Sequence, residues 1–142
     1  MNPLGNQVVI YWDASAILSA LIKDAHSKKA HEWANKEGAH LLSSLAYAET
    51  LAVLSRMRRE RVIPDVLIEA ALETLESGPW RRLIIGPTWD LMASLSKRWP
   101  LRGADLWHLA VAKHVHEYLP EVKVLTFDTR LKVAAQGEGI EL

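Results

Sequence analysis

Val8-Val9-Ile10-Tyr11-Trp12-Asp13-Ala14-Ser15-Ala16 opens as a strand and closes as the start of a helix. Its first five residues are β-branched or aromatic, the types that fit a pleated surface. Asp13 is the only charged side chain from Asn2 through Ile22. A buried apolar strand therefore delivers one acid to its carboxyl end, the edge at which an open α/β sheet places its ligand.

Beyond this segment, Ile17, Leu18, Leu21 and Ile22 recur at helical spacing over residues 15–22, and a second helix is predicted over 27–36, ended by Gly38. A short apolar strand over 39–43 leads into a long helix over 45–61, which Ser43 or Ser44 can cap. Pro64 suits the first turn of a helix reaching Glu76, before Ser77-Gly78-Pro79 breaks it. A third strand is predicted over 82–85 and a helix over 88–99, stopped by Pro100. A helix from Gly103 to Tyr118, a fourth strand over 122–127, a helix from Asp128 to Gly137 and a short edge strand over 140–142 complete the pattern. Strands alternating with helices predict parallel βαβ units and an α/β fold with its sheet covered on both faces. No linker, repeat or low-complexity segment divides residues 1–142, so one domain is expected.

At 142 residues the chain is long enough to bury roughly 68–70% of its unfolded surface. Apolar residues at 49% and charged residues at 24% are those of a globular protein, which excludes a disordered chain. The absence of cysteine excludes a disulfide framework, a thiolate metal site and a thiol nucleophile, and fits a reducing compartment such as the cytoplasm. Residues 1–7 lack the pattern of a signal peptide, and no segment approaches the ~18 apolar residues of a membrane span. Lys plus Arg and Asp plus Glu both count 17, so any nucleic-acid site is local.

An isolated carboxylate in apolar sequence is costly to bury unless something compensates it. Asp13, Glu49, Asp105 and Asp128 stand out on that test. Glu49 is mid-helix, with Leu45, Ala46, Ala52 and Val53 three and four residues away, so its face reads as buried. Asp105 is the only charge from Gly103 through Ala112, and Asp128 ends a strand as Asp13 does. Acids at the ends of neighbouring strands, and in first helical turns at the same edge, would meet there. Their repulsion calls for cations, and hard oxygens without thiolate favour Mg2+ or Mn2+. Such ions, ~3.5–4 Å apart, stabilise the attacking and leaving oxygens of an in-line displacement, so the chemistry suggested is phosphodiester hydrolysis. The same residues also suit structural duties: Asp13 and Asp128 as helix caps, Asp105 as dipole compensation. Asp90 is equally isolated and reads as a first-turn acid after Thr88.

Together the motifs resemble the PIN-domain ribonucleases, and among them the VapC-type toxins of toxin–antitoxin pairs. Val9 to Ala16 resembles the family's opening strand, acid and small hydroxyl; Ala48-Glu49 falls on the third helix, where the family carries a glutamate. Arg102-Gly103-Ala104-Asp105-Leu106-Trp107-His108-Leu109-Ala110-Val111-Ala112 resembles its third motif, and Leu125-Thr126-Phe127-Asp128-Thr129-Arg130-Leu131 its fourth. The resemblance implies a three-layer α/β/α sandwich with a central, mostly parallel sheet, and a Mg2+- or Mn2+-dependent endoribonuclease. Asp13 and Asp105 match its metal ligands, Glu49 and Asp128 complete the acidic pocket, and Ser15 and Thr126 match small hydroxyls that hold ligands or water. It further implies a 5′-phosphate and a 3′-hydroxyl as products, a homodimer, and a small antitoxin that blocks the pocket.

His108 lies three residues after Asp105 and reads as a packed or supporting imidazole rather than a catalyst. Trp12 and Trp107 are bulkier than the family pattern, which bears on pocket shape. Arg56, Arg58, Arg59 and Arg61, and Lys97, Arg98 and Arg102, can contact phosphates, but helix-dipole compensation explains them equally. Amphipathic segments over 30–34 and 66–75 are candidate partner surfaces. The alternatives are another phosphoryl-transfer enzyme, either a DNA nuclease or a phosphatase, and a non-catalytic PIN-like or receiver-like binding module. Against the phosphatase, Asp13-Ala14-Ser15 lacks the second acid of a D-x-D motif; against the receiver, no lysine lies near these motifs.

Overall fold

In a computed structural model, residues 7–142 are described; the reading of residues 1–7 as lacking a signal-peptide pattern falls, but for Gln7, outside them. The elements run β1 (Val8–Trp12), α1 (Ala14–Leu21), α2 (Ser27–Ala34), β2 (Gly38–Ser43), α3 (Ser44–Arg59) and α4 (Asp65–Ser77). They continue β3 (Trp80–Leu83), α5 (Trp89–Arg98), α6 (Gly103–Tyr118), β4 (Lys123–Leu125) and α7 (Thr129–Gly137). The strands form a parallel sheet in the order β3-β2-β1-β4.

Alternation along the strands divides the core into two layers. Ile10 and Trp12 of β1 and Leu42 of β2 pack on Ala16 and Ile17 of α1, Ala30 of α2, Ala46 of α3 and Leu75 of α4. Tyr11 and Leu41 point the other way, onto Leu95 of α5, Leu109 and Ala112 of α6, and Leu131 and Ala134 of α7. The result is the expected α/β/α sandwich. Leu54, Ile68 and Ala71 form a smaller cluster where α3 and α4 meet.

Side chains reinforce both layers. Trp12 Nε1 donates to His40 Nδ1 at 3.0 Å, so the His40 proton sits on Nε2, 2.8 Å from the Lys36 carbonyl. Behind α5, Glu138 accepts from Trp99 Nε1 at 2.9 Å and bidentately from Arg98 at 3.1 Å, with Lys113 Nζ at 3.4 Å. One carboxylate thus joins α5, α6 and the end of α7. Burial alone would push it up, but these donors hold it below the usual glutamate range.

Several boundaries differ from the sequence reading, among them the end of the second helix at Ala34 rather than residue 36. The third strand pairs over Trp80–Leu83, not 82–85, because Ser43 aligns with Leu83 and leaves Ile84 91% exposed beyond the ladder. The long helix ends at Arg59, and Arg61 turns the chain with φ 53°. The fourth strand is confined to Lys123–Leu125, since Thr126 and Asp128 bend away into side-chain hydrogen bonds. The edge segment over 140–142 is a single parallel bridge from Val124 to Glu141.

Candidate active site

β1 and β4 are neighbours whose following helices leave toward opposite faces of the sheet, α1 into one layer and α7 into the other. Such a switch point opens a crevice at the carboxyl edge. Asp13 lies at this edge, its N–H extending the ladder to the Leu125 carbonyl at 3.3 Å. Its Oδ1 caps α1, accepting from Ala16 N at 2.9 Å and from Ser15 Oγ at 2.7 Å, while Thr126 Oγ1 donates to Oδ2. Ser15 Oγ accepts in turn from Phe127 N at 3.0 Å, and Thr126 Oγ1 from Asp128 N at 3.0 Å. Asp128, which follows β4, caps α7 through Leu131 N at 3.0 Å. The capping reading of both aspartates therefore holds, and in each a second carboxylate oxygen is left over from the cap.

Asp105 is in the first turn of α6 and Glu49 in the second turn of α3. Burial raises the Asp105 carboxyl above the usual range, and Asp128, Asp13 and Glu49 add to this, partly offset by His108. Asp105 therefore lies within electrostatic reach of each of the other three. Asp13 is also raised, by burial that outweighs its hydrogen bonds. Glu49 Oε1 meets His108 Nε2 at 2.6 Å, and His108 Nδ1 meets the Tyr11 hydroxyl at 2.6 Å.

Among the described residues, the ion pairs of Lys and Arg go to Asp65, Glu69, Glu76, Glu138 and Glu141, none of them to these four acids. As placed, no three His, Asp or Glu side chains among the described residues form a metal-sized cage. The donor chemistry nonetheless fits a hard divalent cation: four carboxylates, three of them raising the fourth, with no Lys or Arg ion-paired to them among the described residues.

Several sequence readings are corrected here. Glu49 does not lie on a buried face; the core stripe of α3 is Ala46, Thr50 and Leu54, Ala52 is exposed, and the Glu49 side chain is 34% exposed. Trp12 points into the α1–α4 layer, away from the face of Tyr11 and Asp13, so it does not shape the pocket. Trp107 packs edge-on against His108. Asp90 sits exposed in the first turn of α5, apart from the cluster, as its local sequence suggests. Ser43 is the cap its sequence suggests, but the contact that it and Tyr11 make toward His108 is not marked in the local sequence. The available signal was the two-residue period that puts Tyr11 on the face of Asp13, and the register that sets Ser43 beside Asp13.

The fold has solved counterparts. VapC20 of Mycobacterium tuberculosis, described as a sarcin-ricin loop cleaving toxin, superposes with a TM-score of 0.59 at 21% identity, over 88% of this chain and 94% of that one. PAE2754 of Pyrobaculum aerophilum superposes with a TM-score of 0.60 at 19% identity, over 96% of this chain and 88% of its own. No curated protein sequence matches. At these identities the likeness concerns the fold alone. The PIN domain family model, however, matches residues 10–137, from within β1 to the last residue of α7. That span takes in all four acids and both strands of the crevice, and the chain belongs to the PIN domain family.

Proposed function

We propose that the protein is a metal-dependent endoribonuclease, the toxin of a type II toxin–antitoxin pair. The observation that carries this reading is that Asp13, Glu49 and Asp128 all act on the Asp105 carboxyl, while among the described residues no Lys or Arg is ion-paired to any of the four. The likeness to a toxin described as cleaving the sarcin-ricin loop supports RNA as the substrate class. Asp13 and Asp105 would hold a Mg2+ or Mn2+ ion, with Glu49 and Asp128 completing the acidic pocket. When bound, the ion lowers the pKa of water and stabilises charge on the phosphate. The chain's own part is to keep the acids aimed: Ser15 and Thr126 fix the plane of the Asp13 carboxylate, and the α1 and α7 caps fix the loops that carry Asp13 and Asp128.

A small antitoxin and a second copy of the chain are the proposed partners, and the cytoplasm the proposed location. No helix of the described residues is long and apolar enough to cross a membrane. The two segments expected as partner surfaces line one open groove of about 620 Å3, with His31 of α2 and Leu67, Ala70 and Thr74 of α4 on its walls. Arg58 and Arg98, by contrast, are committed to ion pairs with Glu69 and Glu138.

The test is cleavage of total cellular RNA by purified protein, wild type beside Asp13→Asn, with EDTA, Mg2+ or Mn2+. Discrete fragments from wild type with metal alone support the reading. Intact RNA in every lane, with DNA cut instead, overturns the choice of substrate, and intact RNA and DNA overturn the enzyme. Expression should arrest growth, and the Asp13→Asn form should not.

A further inference from the structure

Glu49 differs from the other three acids in how it is held. Asp13 and Asp128 are fixed to backbone N–H groups, and Asp105 is short and rooted in α6. Glu49 is a long, flexible side chain at 34% exposure whose one hydrogen bond among the described residues is to His108. Left free, it would have rotamer freedom among the largest of any side chain.

His108 is itself locked. It is 2% exposed and belongs to α6, in the opposite layer from α3. Its Nε2 faces a carboxylate oxygen, which only accepts, so Nε2 carries the hydrogen. In the neutral ring Nδ1 then accepts. The Tyr11 hydroxyl has one hydrogen and two acceptors within reach, Ser43 Oγ at 3.1 Å and His108 Nδ1 at 2.6 Å; the shorter contact is to the imidazole. Ser43 Oγ caps α3 through Ala46 N at 3.1 Å, so the chain of contacts leaves α3 at its cap and returns to the same helix at Glu49. Tyr11, Ser43 and His108 are all buried.

We propose that Tyr11 and His108 are positioning residues that hold the Glu49 carboxylate at the acid cluster, so that metal affinity there depends on two side chains that are not ligands. This rests on the metal-dependent reading above. Partners of this kind typically change metal affinity about 10–100-fold when lost.

The experiment is a Mn2+ titration by calorimetry of metal-free wild type, Asp13→Asn, Tyr11→Phe, His108→Phe, His108→Gln and His40→Gln, each checked for folding by circular dichroism. Tyr11→Phe and His108→Phe are expected to weaken Mn2+ binding about 10-fold or more. His108→Gln should recover most of that loss, because its amide can donate to Glu49 from the place of Nε2. His40→Gln breaks an equally buried imidazole chain that touches no acid, and should leave Mn2+ affinity unchanged. If His108→Phe does not fold, Tyr11→Phe, which removes a single oxygen, decides. Wild-type Mn2+ affinity in Tyr11→Phe, or an equal loss in His40→Gln, overturns the inference while Asp13→Asn still reports the metal site. A wild type that binds no Mn2+ overturns the metal reading, and the inference with it.

Discussion

Thr126, just past β4, donates its hydroxyl hydrogen to Oδ2 of Asp13, just past β1, and so continues the pairing of the two strands in side chains beyond their last backbone rung. Asparagine at position 13 keeps Oδ1 as an acceptor and is an equally good cap. Asp13→Asn should therefore fold with near wild-type circular dichroism and lose RNA cleavage by about 100-fold or more. Unchanged cleavage by a folded variant removes Asp13 from the site.

Asp105 carries no cap and is raised by burial and by three neighbouring carboxylates. Removing its charge relieves that repulsion. Metal-free Asp105→Asn should show a higher thermal midpoint than wild type at neutral pH, and a smaller rise on adding Mn2+. For wild type, Mn2+ at about 100 times its dissociation constant should add ~2.7 kcal/mol of stability. A lower metal-free midpoint would mean that Asp105 is held by favourable contacts rather than repelled.

Acid titration should separate two carboxylate populations by sign. Asp13 and Asp105 are raised in the folded protein, so the stability they contribute is present below the ordinary Asp value near ~3.9 and lost as pH rises through their folded values. Glu138 is lowered, so its contribution is present above the ordinary Glu value near ~4.3 and lost as pH falls through its folded value. Glu138→Gln should cost about 1–3 kcal/mol at pH 7, by urea unfolding, because it strands the Arg98 and Lys113 charges and weakens the Trp99 bond. The gap from wild type should close as pH falls through the lowered Glu138 value. A gap independent of pH would assign Glu138 a packing role only.

Gly38 begins β2 with φ 145°, and a Cβ there would stand 1.9 Å from the Val8 carbonyl oxygen. Gly38→Ala must move β2 off β1 at the first rung of the sheet, which should destabilise the protein by about 3 kcal/mol or more. Urea unfolding checks this, and a cost under ~1 kcal/mol would show that the rung is dispensable.

The legible parts of the sequence are those where local chemistry and tertiary structure agree. Val8 to Trp12 is five strand-formers ending on a cap, and Ser43, Thr88 and Asp128 each announce a helix that is present. β3 misled because Ile84 and Ile85 look more like a strand than Trp80 to Leu83 does, yet pairing to β2 sets the register of an edge strand. Isolation in sequence marked the four acids, but not what holds Glu49. A tyrosine in a strand reads as core filling until the fold brings it against an imidazole 97 residues away. Ser43 hides in the same way, since a cap and a link in a buried chain have the same local sequence.

β1 is made first, lies inside the sheet, and has β4 as one of its two neighbours. Thr126 follows Asp13 by 113 residues. While the chain is still being synthesised, with β4 inside the ribosome, Asp13 has no Thr126 to orient it, and Asp128 has not emerged. The order of the strands thus acts as a timer. Asp13 gains its orienting hydroxyl, and the acid that follows β4, only once residues 126–128 have left the ribosome.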